Sequence, residues 1–143
     1  MRVRDFLRRD LSSLEKDTPL RQAIRFLEDS GLSSLPVVDE EGKVVGVISE
    51  RDIIRALLPS YVDMLHSTSF LPSLDQLKKK LEEIGNHPVE RYMTREVVAV
   101  QPEDTDLYAA DLMLRKGLKQ LPVVDREGRL VGVVRRIDLL SRL

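Results

Sequence analysis

Ser49 and Asp52 stand three residues apart in Gly46-Val47-Ile48-Ser49-Glu50-Arg51-Asp52, where an apolar stretch gives way to a helical pattern. Ser49 sits where that helix begins, and Asp52 lies one turn in on the same side. A carboxylate there can accept hydrogen bonds from two adjacent hydroxyls, as a sugar offers. A hydroxyl and backbone N–H groups at a helix start suit a phosphate. Arg51, followed by Arg55, adds positive charge nearby. The group fits a sugar phosphate. The same Ser-x-x-Asp spacing is also close to a capping box, which needs no ligand.

The chain carries this segment twice. Residues 31–57 read GLSSLPVVDEEGKVVGVISERDIIRAL and residues 117–143 read GLKQLPVVDREGRLVGVVRRIDLLSRL, an ungapped match at an offset of 86 with 14 of 27 positions identical. A repeat this long is a duplicated structural unit. The second copy of the motif is Gly132-Val133-Val134-Arg135-Arg136-Ile137-Asp138: the aspartate stays and the serine becomes arginine. A reciprocal cap loses half its purpose without the serine, which favours a sugar-binding role for both aspartates. A structural role stays open, since an acidic residue in a first helical turn contributes about 0.3–1 kcal/mol through the helix dipole.

Other chemistries find no support. His66 and His87 lack a cysteine or acidic partner at metal spacing. No serine has a His/Asp arrangement or a Gly-x-Ser-x-Gly elbow. There is no Gly-x-Gly-x-x-Gly and no P-loop. The few aromatics do not interleave with basic clusters, which counts against nucleic acid. We expect no catalytic set, no metal and no catalytic cofactor.

The elements that must position these residues recur in each copy as strand, helix, strand, strand, helix. In the first copy Leu11–Leu14 is a short extended segment. Thr18 is the expected N-cap with Pro19 at the first helical position, and Leu20, Ala23, Ile24 and Leu27 recur at helical spacing up to Gly31. Strands are expected over Leu35–Val38 and Val44–Ile48 around a turn at Gly42, followed by a helix over Glu50–Leu58. The second copy places an extended segment at Val97–Val100, a helix at Leu107–Lys116, a hairpin of Leu121–Val124 and Leu130–Val134, and a helix over Ile137–Leu143. Its cap-like Asp-Thr recurs one step later, at Asp104 and Thr105, a departure at the start of that helix. Residues 1–58 and 89–143 are thus two repeats, with 59–88 a connector. The connector carries Tyr61, Met64, Leu65, Phe70 and Leu71, then a helix opened by a Ser73/Gln76 capping box. That helix has an apolar stripe of Leu74, Leu77, Leu81 and Ile84, Lys78–Glu82 and Lys79–Glu83 pairs, and a stop at Gly85-Asn86.

Composition agrees with a domain-sized, mixed-charge globular chain. Of 143 residues 42% are hydrophobic and 33% charged, and the net charge is −1. That balance argues against nucleic acid. The absence of cysteine fits a cytoplasmic protein. No apolar run approaches a membrane span, and MRVRDFLRRD lacks a signal-peptide h-region.

Each copy resembles a CBS domain, the regulatory unit named after cystathionine β-synthase. The matching residues are the openings ValArgAspPheLeu (3–7) and ValGluArgTyrMetThr (89–94), the glycine after the first helix, LeuProValValAsp (35–39 and 121–125), and Gly-x-x-x-x-x-Asp (46–52 and 132–138). The resemblance implies an α+β fold of two βαββα repeats packed through their sheets about a pseudo-twofold axis, called a Bateman module. Two such modules commonly pair into a disc. It implies binding of AMP, ADP, ATP or S-adenosylmethionine between the repeats, with the signal passed to an effector. By that resemblance Asp52 and Asp138 hold ribose and Ser49 a phosphate. Adenine walls would come from Ser33, Ser34, Leu35, Pro36 and Val37 in copy one, and from Lys119, Gln120, Leu121, Pro122 and Val123 in copy two. Ser12, Ser13, Leu14, Thr94, Val97 and Val98 would close the clefts. For the apolar members a core role is equally expected.

Arg135 departs from the family's Gly-x-x-Ser/Thr-x-x-Asp pattern. With Arg136 it could reach a phosphate in its own cleft or across the pseudo-twofold, its fork matching phosphate oxygens. It could instead fill the second cleft or lie in solvent. The expectation is one principal site on Ser49 and Asp52, with Arg51, Arg135 and Arg136 as phosphate contacts. The reading is a non-catalytic adenosine-nucleotide sensor that forms a homodimer of modules and signals to a separate effector protein. Its rival is a dimerisation scaffold without ligand, and an enzyme ranks far below both.

Overall fold

The computed structural model describes residues 1–59 and 75–143. Tyr61, Met64, Leu65, His66, Phe70, Leu71, Ser73 and Leu74 lie outside the described residues.

Strand β1 is Leu14–Glu15, helix α1 Leu20–Ser30, β2 Ser34–Val38, β3 Val44–Ser49 and α2 Glu50–Leu57. After α3 (Gln76–Ile84) come α4 (Asp106–Arg115), β4 (Gln120–Val124), β5 (Leu130–Arg135) and α5 (Arg136–Leu140). Short 3-10 turns at Val3–Asp5 and Val89–Arg91 open the two halves. In the first sheet β1 runs parallel to β2, and β2 pairs antiparallel with β3. In the second sheet β4 and β5 pair antiparallel, and Val100 makes a single parallel bridge to Val123 in the place of β1. The extended segment expected at Val97–Val100 is thus reduced to one bridge. Both hairpins carry a register shift at matching positions, Val37/Val38 and Val123/Val124, and both turn at a glycine of positive φ, Gly42 and Gly128.

Helix α1 buries Leu20, Ala23 and Leu27 and ends at Gly31 in the left-handed conformation. Its N-cap is Pro19, not Thr18. The Thr18 hydroxyl is engaged elsewhere, accepting from the Glu15 N–H at 3.1 Å. The second-copy helix starts at the equivalent position, Asp106, because Thr105 takes the cap and accepts from the Tyr108 N–H at 3.1 Å. Along α3 the expected stripe is partial: Ile84 is buried, Leu81 half-buried and Leu77 exposed. The ion pair seen there is Lys80–Glu83 at 4.0 Å.

The two cores cross the sequence boundaries of the repeats. Val3 and Phe6 are buried with Val100, Met113, Leu121 and Val134 of the second half. Ile84, Val89 and Met93 are buried with Leu14, Leu20, Leu35 and Ile48 of the first. Each opening segment is therefore stitched onto the opposite sheet. Arg8 exchanges both backbone hydrogen bonds with Val133, each at 2.9 Å, and Thr94 does the same with Val47 at 2.8 and 2.9 Å. The hairpin tips also join, with the Val44 N–H donating to the Gly128 carbonyl at 3.0 Å and the Leu130 N–H to the Gly42 carbonyl at 3.1 Å. Gln120, buried, donates its side-chain amide to the Ser34 carbonyl at 2.9 Å. The halves clasp through backbone and core alike.

Candidate ligand-binding site

A narrow crevice runs between the sheets. Ser34, Pro36 and Val47 line it from one side, and Gln120, Pro122 and Val133 from the other, with Asp10 and Ser12 at its flank. Strand alternation explains the division of labour. Ser34 and Pro36 face the crevice, so Leu35 and Val37 face the first core. In copy two Gln120 and Pro122 face the crevice while Leu121 and Val123 are buried in the second core. Leu14 is also a core residue. Ser12 donates its N–H to Asp10 at 2.9 Å, and its hydroxyl bonds the same carboxylate. These bonds, the hydroxyl's first, hold Asp10 below the ordinary aspartate range. Ser13 is half-buried beside it, as are Val97 and Val98 in the second half.

At the end of β3 three of the expected residues converge. Asp52 is 7% exposed. One of its oxygens accepts from the Ser49 N–H and the Ser49 hydroxyl, each at 2.9 Å. The other accepts from the Thr94 hydroxyl at 3.1 Å. Arg55 lies 3.6 Å from that second oxygen. Ser49 also accepts from the Asp52 N–H at 3.1 Å, so the capping box is present alongside the cluster. Thr94 arrives because its segment is stitched to Val47, two residues before Ser49 on the same strand face. Arg51 is exposed on α2. Ser33 is half-buried, and its carbonyl accepts from the Glu50 N–H at 3.0 Å.

The second cleft has the same frame and different partners. The Arg135 N–H and Nε donate to one Asp138 oxygen at 3.1 and 3.0 Å, and Nη2 donates to the other at 2.9 Å. Burial pushes the Asp138 carboxyl up, but the Arg135 hydrogen bonds and charge, with the charge of Arg8, outweigh it and hold the group below its ordinary range. Arg136 is exposed and donates Nε to the Leu118 carbonyl at 2.9 Å. Lys119 is exposed, and its carbonyl accepts from the Arg136 N–H. Motif reading passes over Arg8; the 86-residue offset that relates it to Thr94 is the signal that finds it.

The glycines of the motif serve the protein's own packing. A Cβ at Gly46 would lie 2.5 Å from the Met93 sulfur, and one at Gly132 would overlap the Arg8 carbonyl oxygen. The opposite opening segment approaches with its backbone at Gly132 and with the Met93 side chain at Gly46. His87, the described histidine, bonds the Tyr92 hydroxyl through Nδ1 at 2.6 Å and stacks on its ring.

Two interlocked α/β units, joined through their sheets, with an aspartate beside each strand-to-helix junction, make a tandem domain pair. The CBS domain profile matches residues 3–59 and 89–143, and the chain belongs to the CBS domain family as a tandem pair. It is 33% identical to the uncharacterized protein MJ1426 of Methanocaldococcus jannaschii over 156 aligned positions, covering 100% of this chain and 91% of that one. The structure is similar to that of CBSX2 in complex with AMP, with a TM-score of 0.74, 25% identity, and coverage of 99% of this chain and 94% of that one. It is also similar to the CBS domain pair of MJ0100 in complex with 5-methylthioadenosine and S-adenosyl-L-methionine, with a TM-score of 0.71, 25% identity, and coverage of 99% and 94%. Among the described residues no helix is long and apolar enough to cross a membrane.

Proposed function

We propose that this CBS pair is a non-catalytic regulatory module that binds an adenosine compound beside Asp52 and passes the signal to a partner. The observation that carries the reading is the convergence of Ser49 and Asp52 from the first repeat with Thr94 from the second. The side-chain hydrogen bonds to the Asp52 carboxylate come from the Ser49 and Thr94 hydroxyls, which can turn to receive a sugar diol, while Arg55 stands 3.6 Å away as an exposed ion-pair partner. Ser49 and Arg55 stand close enough to serve a phosphate. Val47, bridged to Thr94, offers apolar surface to adenine beside this cluster. CBSX2 with AMP and the MJ0100 pair with its two adenosine compounds support that ligand class.

A ligand held by Asp52 and Thr94 touches both halves. It biases their relative tilt by its differential affinity for the two arrangements. The surface for a second module is the groove between α1 and α2, lined by Ile24, Leu27, Ile53 and Ile54, where Ile54 stands exposed. We propose a homodimer through these helices, with the effector a separate protein.

Thermal denaturation with AMP, ADP, ATP, S-adenosylmethionine and GTP tests the reading. A ligand at 100 times its Kd stabilises by about 2.7 kcal/mol. At least one adenosine compound should raise Tm, GTP should not, and Asp52→Ala should abolish the rise. If no adenosine compound moves Tm, the ligand-free scaffold takes its place.

A further inference from the structure

We infer that Arg135 closes the Asp138 cleft to the adenosine compound, so that the chain takes one equivalent of ligand although it has two aspartates. The inference rests on the proposed role of Asp52.

The two clefts are related residue by residue at the 86-residue offset. Asp52 answers to Asp138, Ser49 to Arg135 and Thr94 to Arg8. The backbone frame is shared, because Thr94 and Arg8 make the same paired bonds to Val47 and Val133. Only the groups facing the carboxylate differ. Arg135 bonds Asp138 where Ser49 bonds Asp52, Arg8 stands in the sequence place of Thr94, and Arg55, an ion-pair neighbour of Asp52 at 3.6 Å, is answered by Ser141.

That exchange changes what the carboxylate can do. A serine or threonine hydroxyl both donates and accepts, so it rotates to share the carboxylate with an incoming sugar. A guanidinium only donates, and its fork occupies both carboxylate oxygens in a charge-assisted pair. In this protein the fork is closed: Arg135 Nε and Nη2 reach the two oxygens at 3.0 and 2.9 Å. Arg135 also stands where Ser49 stands in the first cleft, so the place of the phosphate-facing hydroxyl is filled. To bind ribose, Asp138 would have to release a charged partner and accept neutral hydroxyls in exchange. Arg135 is the residue that makes the clefts unequal.

Titration calorimetry with AMP and S-adenosylmethionine on the full chain reads the stoichiometry. The native chain should bind one equivalent. Arg135→Ser, which restores the first-copy residue, should bind two. The double variant Asp52→Ala/Arg135→Ser should bind one, through the opened cleft alone. A thermal melt of each variant confirms folding, and the further variant Arg8→Thr/Arg135→Ser restores both hydroxyls should the single change not suffice. Two equivalents on the native chain would overturn the inference while leaving the Asp52 reading intact. No binding by the native chain with one equivalent on Arg135→Ser would uphold the closure of the Asp138 cleft by Arg135 but sink the Asp52 reading and the one-equivalent count that rests on it. One equivalent on both Arg135→Ser and Arg8→Thr/Arg135→Ser would overturn the inference, and no binding by any variant would overturn both.

Discussion

Asp52 and Asp138 occupy the same place in the two halves and live in different electrostatic settings. The sequence alone shows the cause, Arg135 in the place of Ser49, but leaves open where a long side chain points. In the structure the arginine reaches three residues forward along the chain and pairs with Asp138. A pH effect follows. Burial pushes the folded Asp138 carboxyl up, but the Arg135 hydrogen bonds and charge, with the charge of Arg8, together outweigh it and hold the group below its ordinary value of 3.8. A carboxyl depressed on folding adds stability above its unfolded pKa and loses it as pH falls through the folded value. Native Tm should therefore drop more steeply on acidification past 3.8 than the Tm of Arg135→Ser. Parallel acid limbs in circular-dichroism melts would contradict this. Asp10 and Asp39, also depressed, contribute equally to both proteins and cancel in the difference.

At the scale of elements, most of the fold was legible because punctuation and periodicity agreed. Gly31 and Gly117 end their helices at positive φ, and Ser49 and Thr105 cap theirs. What sequence could not show is which half each opening segment joins, because Val3 and Val89 read as equally apolar openings to their own repeats. That long-range exchange brings Thr94 to Asp52 and Arg8 to Asp138. It also explains the motif glycines, whose missing side chains make room for the exchanged segments. Gly132→Ala would press a methyl into the Arg8 carbonyl and should cost about 1–3 kcal/mol in urea unfolding. Amide exchange should then speed at Arg8 and Val133, the two sites of that seam. An unchanged midpoint would show that the seam yields freely.

For the molecule as a whole, the exchanged segments bring residues of both repeats to Asp52, so the proposed ligand would touch both. The groove of Ile24, Leu27, Ile53 and the exposed Ile54 is the proposed face for a second module. The chain should sediment as a dimer at micromolar concentration, and Ile54→Glu should shift it to monomer without loss of secondary structure. Dimers that persist in the variant would place the contact elsewhere. A crystal structure of the native protein grown with AMP tests the central claim most directly. It should show ribose hydroxyls within hydrogen-bond distance of the Asp52 carboxylate and Arg135 still paired with Asp138. Nucleotide density at Asp138 with none at Asp52 would contradict it.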